Sequence, residues 1–446
     1  MSVFERKLQT MLFFLILYSA LYTLAFLVYL PFYLARSRKQ GRKLHLLERA
    51  GWAVGSPVGA RPSLPAQKRR IWIQAVSVGE VNVIKPLVEA LRPDFDICVS
   101  TTTETGQVLA RKLYPDDHVF YFPLDWGWLC RRFLRIIQPS LVLLAETEIW
   151  PNLLFQASRA GIPVLLVNGR ISDRSFGRYR RIRLLLVPAL RLIRTLCMQS
   201  KQDKQRIIDL GAPPDRVIRV GNLKYDYELK ADSQKQLIVH RLAAILRPDP
   251  SALLWVCGST REEEEVQLAE VFVGLKRDFP SLRWLVAPRH THRAAEVIGV
   301  LANRGLNPVL RSNLDSDKGS PDVVVLDTIG ELAHLYQLAD LVFIGGSLVP
   351  WGGHNIIEAA NFGKPITFGP YMQNFREIAD TFLAAYAAIQ VSGQDELMQR
   401  SRDLLQDAAA RKWIGGNARR VVRENQGAVK HTVEVVRGVL PKDHQH

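Results

Sequence analysis

Short apolar runs of six to eight residues recur along most of the chain, each broken off by small, hydroxyl or acidic residues and followed by a helical pattern. They are IWIQAVS (71–77), DICVSTT (96–102), SLVLLAE (140–146), IPVLLVN (162–168) and TLCMQS (195–200). A second series follows: ALLWVCGS (252–259), LRWLVAP (282–288), DVVVLD (322–327), DLVFIGGS (340–347) and KPITFG (364–369). Runs this short are strands, and strands that are apolar without alternation are covered on both faces. The rhythm therefore predicts an α/β chain, with parallel sheets flanked by helices on both sides. It pauses after VIRVGNLKYD (217–226), where a polar helical stretch intervenes, and then restarts. Two doubly wound units of similar size are expected, at 46–225 and 226–446, behind a separate N-terminal segment at 1–45. A chain of 446 residues is long enough for both cores.

The N-terminal segment has a different character. No charged residue occurs between Leu8 and Ala35, and the run exceeds the ~20 apolar residues that cross a bilayer. It is too long for a signal peptide and no small-residue cleavage site follows it. The flank ARSRKQGRK supplies Arg36, Arg38, Lys39, Arg42 and Lys43, a basic cluster that stays on the cytoplasmic side. The expectation is a single-span anchor with Tyr29 and Tyr33 at an interface, and a cytoplasmic body. Residues 53–69, rich in Gly, Pro and Ser, read as the linker to that body. Overall, 59 Lys+Arg against 43 Asp+Glu give a net charge of +16, which asks for an anionic partner. No zinc finger, RNP-type strand or heptad repeat points to nucleic acid, so phosphorylated substrates and the anionic membrane face remain. Cys98, Cys130, Cys197 and Cys257 are scattered without a CxxC pair, the pattern of reduced, buried thiols and not of a disulfide framework or zinc site.

In doubly wound sheets ligands bind beyond the carboxyl ends of the strands. The segments there are VSVGE, TTTETG, AETEIWPN, NGRISDRS, GNLKYD, GSTREEE, APRHTH, DTIGEL and GGSLVPWGGHNIIEAA. They are rich in small, hydroxyl and ionisable residues, which favours a cleft between the two units. Glu80 stands at the end of the first run, where it is either a helix-start acid or the chemistry. Glu146 and Glu148 would share a face if extended, as an acid/base pair or as part of an ion-pair network. Lys224 is either a counter-charge for a departing phosphate or a solvated surface charge. In the second unit, GGSLVPWGGHNIIEAA leads glycines into a helix carrying Glu358, as a phosphate-binding helix start or as a Gly-rich turn with an Asn cap. Arg289 of APRHTH offers a planar fork to an anion, with His290 and His292 beside it. DTIGEL places Glu331 after a Gly-centred turn. Between 174 and 196 seven arginines alternate with leucines, as a surface for anionic lipid or as a solvated face over a core stripe, and Pro188 is expected to break any single long helix.

Read together, VSVGE, TTTETG, ETEIWPN, NGRISDRS, GNLKYD, PRH, DTIGEL and GGSLVPWGGHNIIEAANFGKPITFGPYMQNF, in order behind an apolar span, resemble the bacterial 3-deoxy-D-manno-octulosonic acid (Kdo) transferases. The resemblance runs from about residue 70 to 375; the linker at 53–69 and the segment 310–320 depart from it and are expected to lie away from the site. It implies a GT-B fold, two Rossmann-like units facing across a cleft. It implies transfer of Kdo from CMP-Kdo to the lipid A precursor (lipid IVA) at the inner face of the inner membrane, without a metal cofactor. Carried over residue by residue, the general base falls on Glu80 and transition-state stabilisation on Glu146 and Lys224. The CMP contacts fall on Pro288, Arg289, Ile329, Gly330, Glu331, Asn355, Ile356, Ile357 and Glu358. Single displacement with Glu80 as base predicts inversion at the anomeric carbon. Two other functions stand beside it: a GT-B transferase using a UDP-sugar, and a non-catalytic, membrane-attached lipid A binder.

Overall fold

The computed structural model describes residues 3–40, 45–51, 68–115, 117–226, 232–247, 249, 251–314 and 321–440. Most of the linker expected at 53–69, the basic residues Arg42 and Lys43, and most of the segment 310–320 lie outside the described residues, as does the side chain of Tyr33. The chain forms two compact units, one of Met1–Asp226 together with Gln426–His446, the other of Tyr227–Asn425.

The first unit holds a seven-stranded parallel sheet of β1 (Arg70–Gln74), β2 (Asp96–Thr101), β3 (His118–Tyr121), β4 (Leu141–Ala145), β5 (Val164–Gly169), β6 (Thr195–Met198) and β7 (Val217–Arg219), in the order β3-β2-β1-β4-β5-β6-β7. Strand order reverses between β1 and β4, which pair in register from Ile71 opposite Leu141. All five expected strands are present, and the two that the apolar pattern missed, β3 and β7, are the sheet's edges. One face of the sheet buries Trp72, Cys98, Leu144, Leu166 and Met198 with Phe133 and Leu154. The opposite face buries Ile71, Ile73, Leu143 and Val167 with Val81, Leu87 and Tyr114. The alternate residues of each strand thus fill two cores, which is why the strands read as unbroken apolar runs.

The second unit contains β8 (Leu254–Thr260), β9 (Arg283–Pro288), β10 (Pro308–Leu310), β11 (Val323–Val325), β12 (Leu341–Ile344), β13 (Ile366–Phe368) and β14 (Ile389–Gln390), in the order β10-β11-β9-β8-β12-β13-β14. Its reversal lies between β8 and β12. Stacked Trp255 and Trp284, with Phe272 and Phe343, centre its core.

The division expected at 226–446 changes at its far end. The final helix, Ala428–Val439, returns to the first unit, where Val433 and Val436 join the core beside Leu87 and Leu91. Asp226 fastens this return, accepting from Gly427 N–H at 2.6 Å and from Val429 N–H. The arginine-rich stretch does break, but at Ile182 between helices Asp173–Arg181 and Arg183–Leu190, six residues before Pro188. Pro188 lies inside the second of these helices and does not end it. All seven arginines of 174–196 are exposed. The four cysteines are free and buried.

Candidate active site

In the first unit the loops after β1 and β4 flank the point where strand order reverses, the position at which such sheets bind ligands. Ser77 stands at the N-cap position of the short helix Val78–Val83 without a capping bond from its side chain, and Glu80 in the first turn curls back onto the loop. Its Oε2 accepts from Val76 N–H at 2.8 Å and its Oε1 from Ser77 Oγ at 3.3 Å, a variant of the capping box. Glu80 is 8% exposed. Burial pushes its carboxyl up to about 8, and the charges of Glu146 and Glu148 add to the rise against the Val76 and Ser77 hydrogen bonds. Glu80 is therefore a helix-start acid and a perturbed carboxyl at once.

Glu146 and Glu148 come together with Glu80, but not by the extended geometry the sequence suggested. Strand β4 stops at Ala145, and Glu146 turns into the left-handed region at φ 54° while its N–H bonds to Val167 O at 2.9 Å. Burial, then the charge on Glu146, raises Glu148 to about 7. The TTTETG loop supports the same corner: Thr102 and Thr103 N–H both donate to Val76 O, at 3.1 and 3.0 Å. Arg49, the last residue of the short helix Leu46–Arg49, donates to the carbonyl of Thr102 and lies 5.0 Å over the Tyr121 ring. Lys224 follows β7 at the sheet's edge. Its turn is drawn back toward β5 by fully buried Asn168, whose Oδ1 accepts from Leu223 N–H at 3.0 Å, and Lys224 N–H bonds Asn222 Oδ1 at 3.0 Å.

The second unit repeats the arrangement with basic groups. Here the loops after β8 and β12 flank the reversal, and buried Glu264 ties them together. Its carboxylate accepts from the N–H groups of Gly346, Ser347 and Leu348 at 2.7, 3.1 and 3.0 Å and from Arg261 at 3.1 Å. Gly345 permits the approach, since a Cβ there would stand 2.5 Å from Ser259 O. Arg261, held by this knot, lies 4.5 Å over the half-exposed Trp351 ring and reaches His290 Nε2 at 3.1 Å. Arg289 starts the next loop, its N–H on Thr260 O at 2.9 Å. Burial, then Arg289 and Arg261, lowers His354 to about 3, so its imidazole is neutral near pH 7.

The expected helix start at Asn355 is a single turn, Ile357–Ala360. Asn355 Oδ1 already accepts from Ile357 N–H at 3.1 Å, and its amide donates to Glu358 Oε1 at 3.2 Å. The positive groups at these strand ends are thus Arg261 and Arg289, with no long helix dipole at Asn355 behind them. Burial raises Glu358 to about 7.

The family model for 3-deoxy-D-manno-octulosonic-acid transferase (kdotransferase) matches residues 45–227. A 3-deoxy-D-manno-octulosonic acid transferase from Bordetella pertussis is 31% identical over 90% of this chain and 94% of its own. The chain belongs to the Kdo transferase family. A bifunctional glycosyltransferase/methyltransferase from Fusobacterium nucleatum is 35% identical over 74% of this chain, which spans only 51% of that protein. Among solved structures, UDP-GlcNAc 2-epimerase from Neisseria meningitidis bound to UDP-GlcNAc superposes with a TM-score of 0.57 at 14% identity, over 83% of this chain and all of that one. At that identity the likeness is one of fold, and the fold is of the GT-B type.

Within this member of the Kdo transferase family, the residues carried over from the motifs fall in two groups. Glu80, Glu146 and Lys224 lie at strand ends of the first unit, while Pro288, Arg289, Ile329–Glu331 and Asn355–Glu358 lie at strand ends of the second. Ile329 is 81% exposed beside Gly330, whose φ of 86° demands glycine. Glu331, one of the expected CMP contacts, pairs at 3.0 Å with Arg311, which belongs to the segment expected to lie away from the site. Sequence reasoning missed Arg261, Glu264 and His354 as site groups. GSTREEE marked the first two only as strand-end residues, and nothing local in the sequence announces the Glu264 knot. Among the described residues no group of three or more His, Cys, Asp or Glu side chains is placed to hold a metal ion.

Proposed function

We propose that this protein is an inverting glycosyltransferase that moves Kdo from CMP-Kdo to the lipid A precursor, lipid IVA, with Glu80 as general base. The observation that carries the reading is the Glu80 carboxyl, buried at the strand-order reversal and raised to about 8 beside Glu146 and Glu148. A sugar hydroxyl is a poor nucleophile near neutrality, and a positioned base of this strength contributes typically ~10²–10⁴-fold. The acceptor oxygen bonds to the anomeric carbon as its proton passes to Glu80 and the bond to the CMP phosphate breaks. Glu146 complements the positive charge developing on the sugar. Lys224 and Arg289 stabilise the phosphate of departing CMP. Pro288, Ile329–Glu331 and Asn355–Glu358 bind CMP, with Glu358 accepting from ribose hydroxyls. The body works at the cytoplasmic face of the inner membrane, attached through the N-terminal helix, and no metal is required.

The test is a reconstituted transfer. Full-length protein, CMP-Kdo generated in situ and a tetra-acylated lipid A precursor are incubated with and without chelator, and the lipid is weighed by mass spectrometry. A mass increase by one or more Kdo units, insensitive to chelator and abolished by Glu80→Gln, supports the reading. No mass change, or protection of the protein against thermal unfolding by UDP and not CMP, overturns it.

A further inference from the structure

The helix Val3–Gln40 does not stand clear of the first unit. Positions 14, 15, 18, 19, 22, 23, 26, 30 and 34 are half-buried, a stripe at helical spacing, while Ile16, Leu17, Leu21, Leu24, Val28 and Phe32 between them are exposed. The stripe is held by polar contacts. Asn152 Nδ2 donates to Ser19 Oγ at 3.1 Å and Trp126 Nε1 to Thr23 Oγ1 at 3.0 Å. Asp125 N–H donates to the Tyr22 hydroxyl at 3.4 Å, and the rings of Tyr22 and Phe26 meet Trp126 edge-on. On the other side of this seam Asp125 is itself fixed, accepting from Asn152 and Leu153 N–H at 3.1 and 2.9 Å. The tail of ETEIWPN, which the transfer chemistry does not use, thus builds the seat of the N-terminal helix.

The stripe runs from position 14 to 34, about 30 Å at ~1.5 Å per residue, which is about the thickness of a hydrocarbon core. The contacts of Ser19, Tyr22, Thr23 and Phe26 fall in the middle of that stretch, and a helix docked there cannot cross the bilayer unless the unit behind it enters the hydrocarbon too. That unit carries exposed Arg131, Arg135 and Arg159 on the helices next to the seam, and such charges are excluded from lipid. Crossing would also strip Trp126 and Asn152 of their partners. Lying in the membrane plane keeps the seam intact. It also leaves both charged flanks, Glu5-Arg6-Lys7 and Arg36 to Lys39, on one side.

We propose that the N-terminal helix is a docked, in-plane helix, and that this flank of the first unit rests on the surface of an anionic bilayer. The exposed apolar strip faces the acyl chains. Trp128, 61% exposed and next to the seam, extends it, as do Ile182 and Leu184 where the helix Arg183–Leu190 packs against the N-terminal helix. Exposed Arg174, Arg178, Arg180, Arg181 and Arg183 surround that second apolar patch in the chain and complement lipid phosphates. The segment Phe14–Phe32 is also long and apolar enough to cross a membrane, and the single-span anchor expected from sequence is the alternative. The in-plane placement does not depend on which sugar is transferred.

Sidedness of the N-terminus decides between the two. All four native thiols are buried, so Ser2→Cys in the full-length chain gives one site for a membrane-impermeant maleimide. The in-plane helix predicts labelling in inside-out membrane vesicles and none in right-side-out vesicles; the reverse pattern overturns the proposal. A second readout uses purified protein on vesicles of phosphatidylethanolamine and phosphatidylglycerol brominated at shallow acyl positions. Tryptophan emission should be quenched, and Trp128→Phe should remove part of that quenching. Quenching that Trp128→Phe leaves unchanged means this flank does not meet the lipid, and the proposal falls.

Discussion

Replacing Glu80 by Gln perturbs catalysis and stability in opposite directions, and both magnitudes follow from one buried carboxyl. Its pKa of about 8 places the working form of the base above neutrality. At pH 7 about one molecule in ten is ionised, since each unit below the pKa cuts the ionised fraction about tenfold. Wild-type kcat/KM should therefore rise about tenfold between about pH 7 and 9. Glu80→Gln should remove that limb and lower the rate by ~10²–10⁴. Glu148→Gln deletes a like charge, so the limb should move to lower pH. The measurement is initial rate against pH in the mass-based transfer assay. An acid limb below about pH 6, or a limb that ignores Glu148, refutes the assignment.

The stability arm needs no substrate. In the unfolded chain Glu80 ionises near 4.5, but in the folded protein only near 8. The folded state holds the extra proton between those values, so stability falls as pH rises through that window and the loss is complete above about 8. From 4.5 to about 8 is worth at most about 5 kcal/mol, at about 1.4 kcal/mol per unit. Gln carries no charge to bury. Glu80→Gln should thus raise the thermal midpoint at pH 9 by several degrees relative to wild type and change little at pH 5. An alkaline midpoint below wild type would show that the carboxylate is stabilised where it lies.

Three further substitutions read other parts of the site. Arg289→Ala should weaken CMP binding at least tenfold by calorimetry on the full-length protein, the loss expected for a charge-assisted contact of about 1.5–3 kcal/mol, with the fold unchanged by circular dichroism. Glu264→Ala leaves three buried N–H groups and the half-buried one of Arg261 without an acceptor and should cost about 3–5 kcal/mol, seen as a lower thermal midpoint together with lost CMP affinity. Arg49→Ala releases the TTTETG loop that bonds to Val76, whose N–H in turn meets Glu80; kcat should fall and its acid limb shift, while KM for CMP-Kdo holds.

The sheets were legible because their interior strands are covered on both faces and show as apolar runs. What escaped were β3, β7, β10 and β14, the two edges of each sheet. HVFY, VIR, PVL and IQ are short and pair on one side only, and the last three bury one residue or none, so local composition does not separate them from loops. The candidate site was legible in part for the same reason. A strand end is a local feature, so Glu80, Glu146 and Arg289 could be placed there from sequence. Arg261 acquires its setting from Trp351, ninety positions away, and Glu264 from Gly346–Leu348, more than eighty away. Such pairings are properties of the folded sheet. The docked N-terminal stripe escaped likewise, because Ser19, Tyr22 and Thr23 look like tolerable polar residues in a span until Asp125, Trp126 and Asn152 meet them.

The backbone adds an argument that composition does not carry. Of the described non-glycine residues with positive φ, Glu146, Asn168 and Ser259 occur where β4, β5 and β8 end, at 54°, 54° and 60°. A residue with a Cβ pays of order 1–2 kcal/mol there, which glycine would avoid. Asn168 returns that cost by anchoring the turn that carries Lys224, through Leu223 N–H and Gln199 Nε2. Ser259 lies where the strand end meets Gly345 at close range. At Glu146 the charge raises both Glu80 and Glu148. A carboxylate held in an unfavourable backbone conformation, beside two others that it makes harder to ionise, opposes folding twice. The transfer we propose gives that negative charge a role, opposite a sugar ring that turns cationic while Glu80 takes the proton.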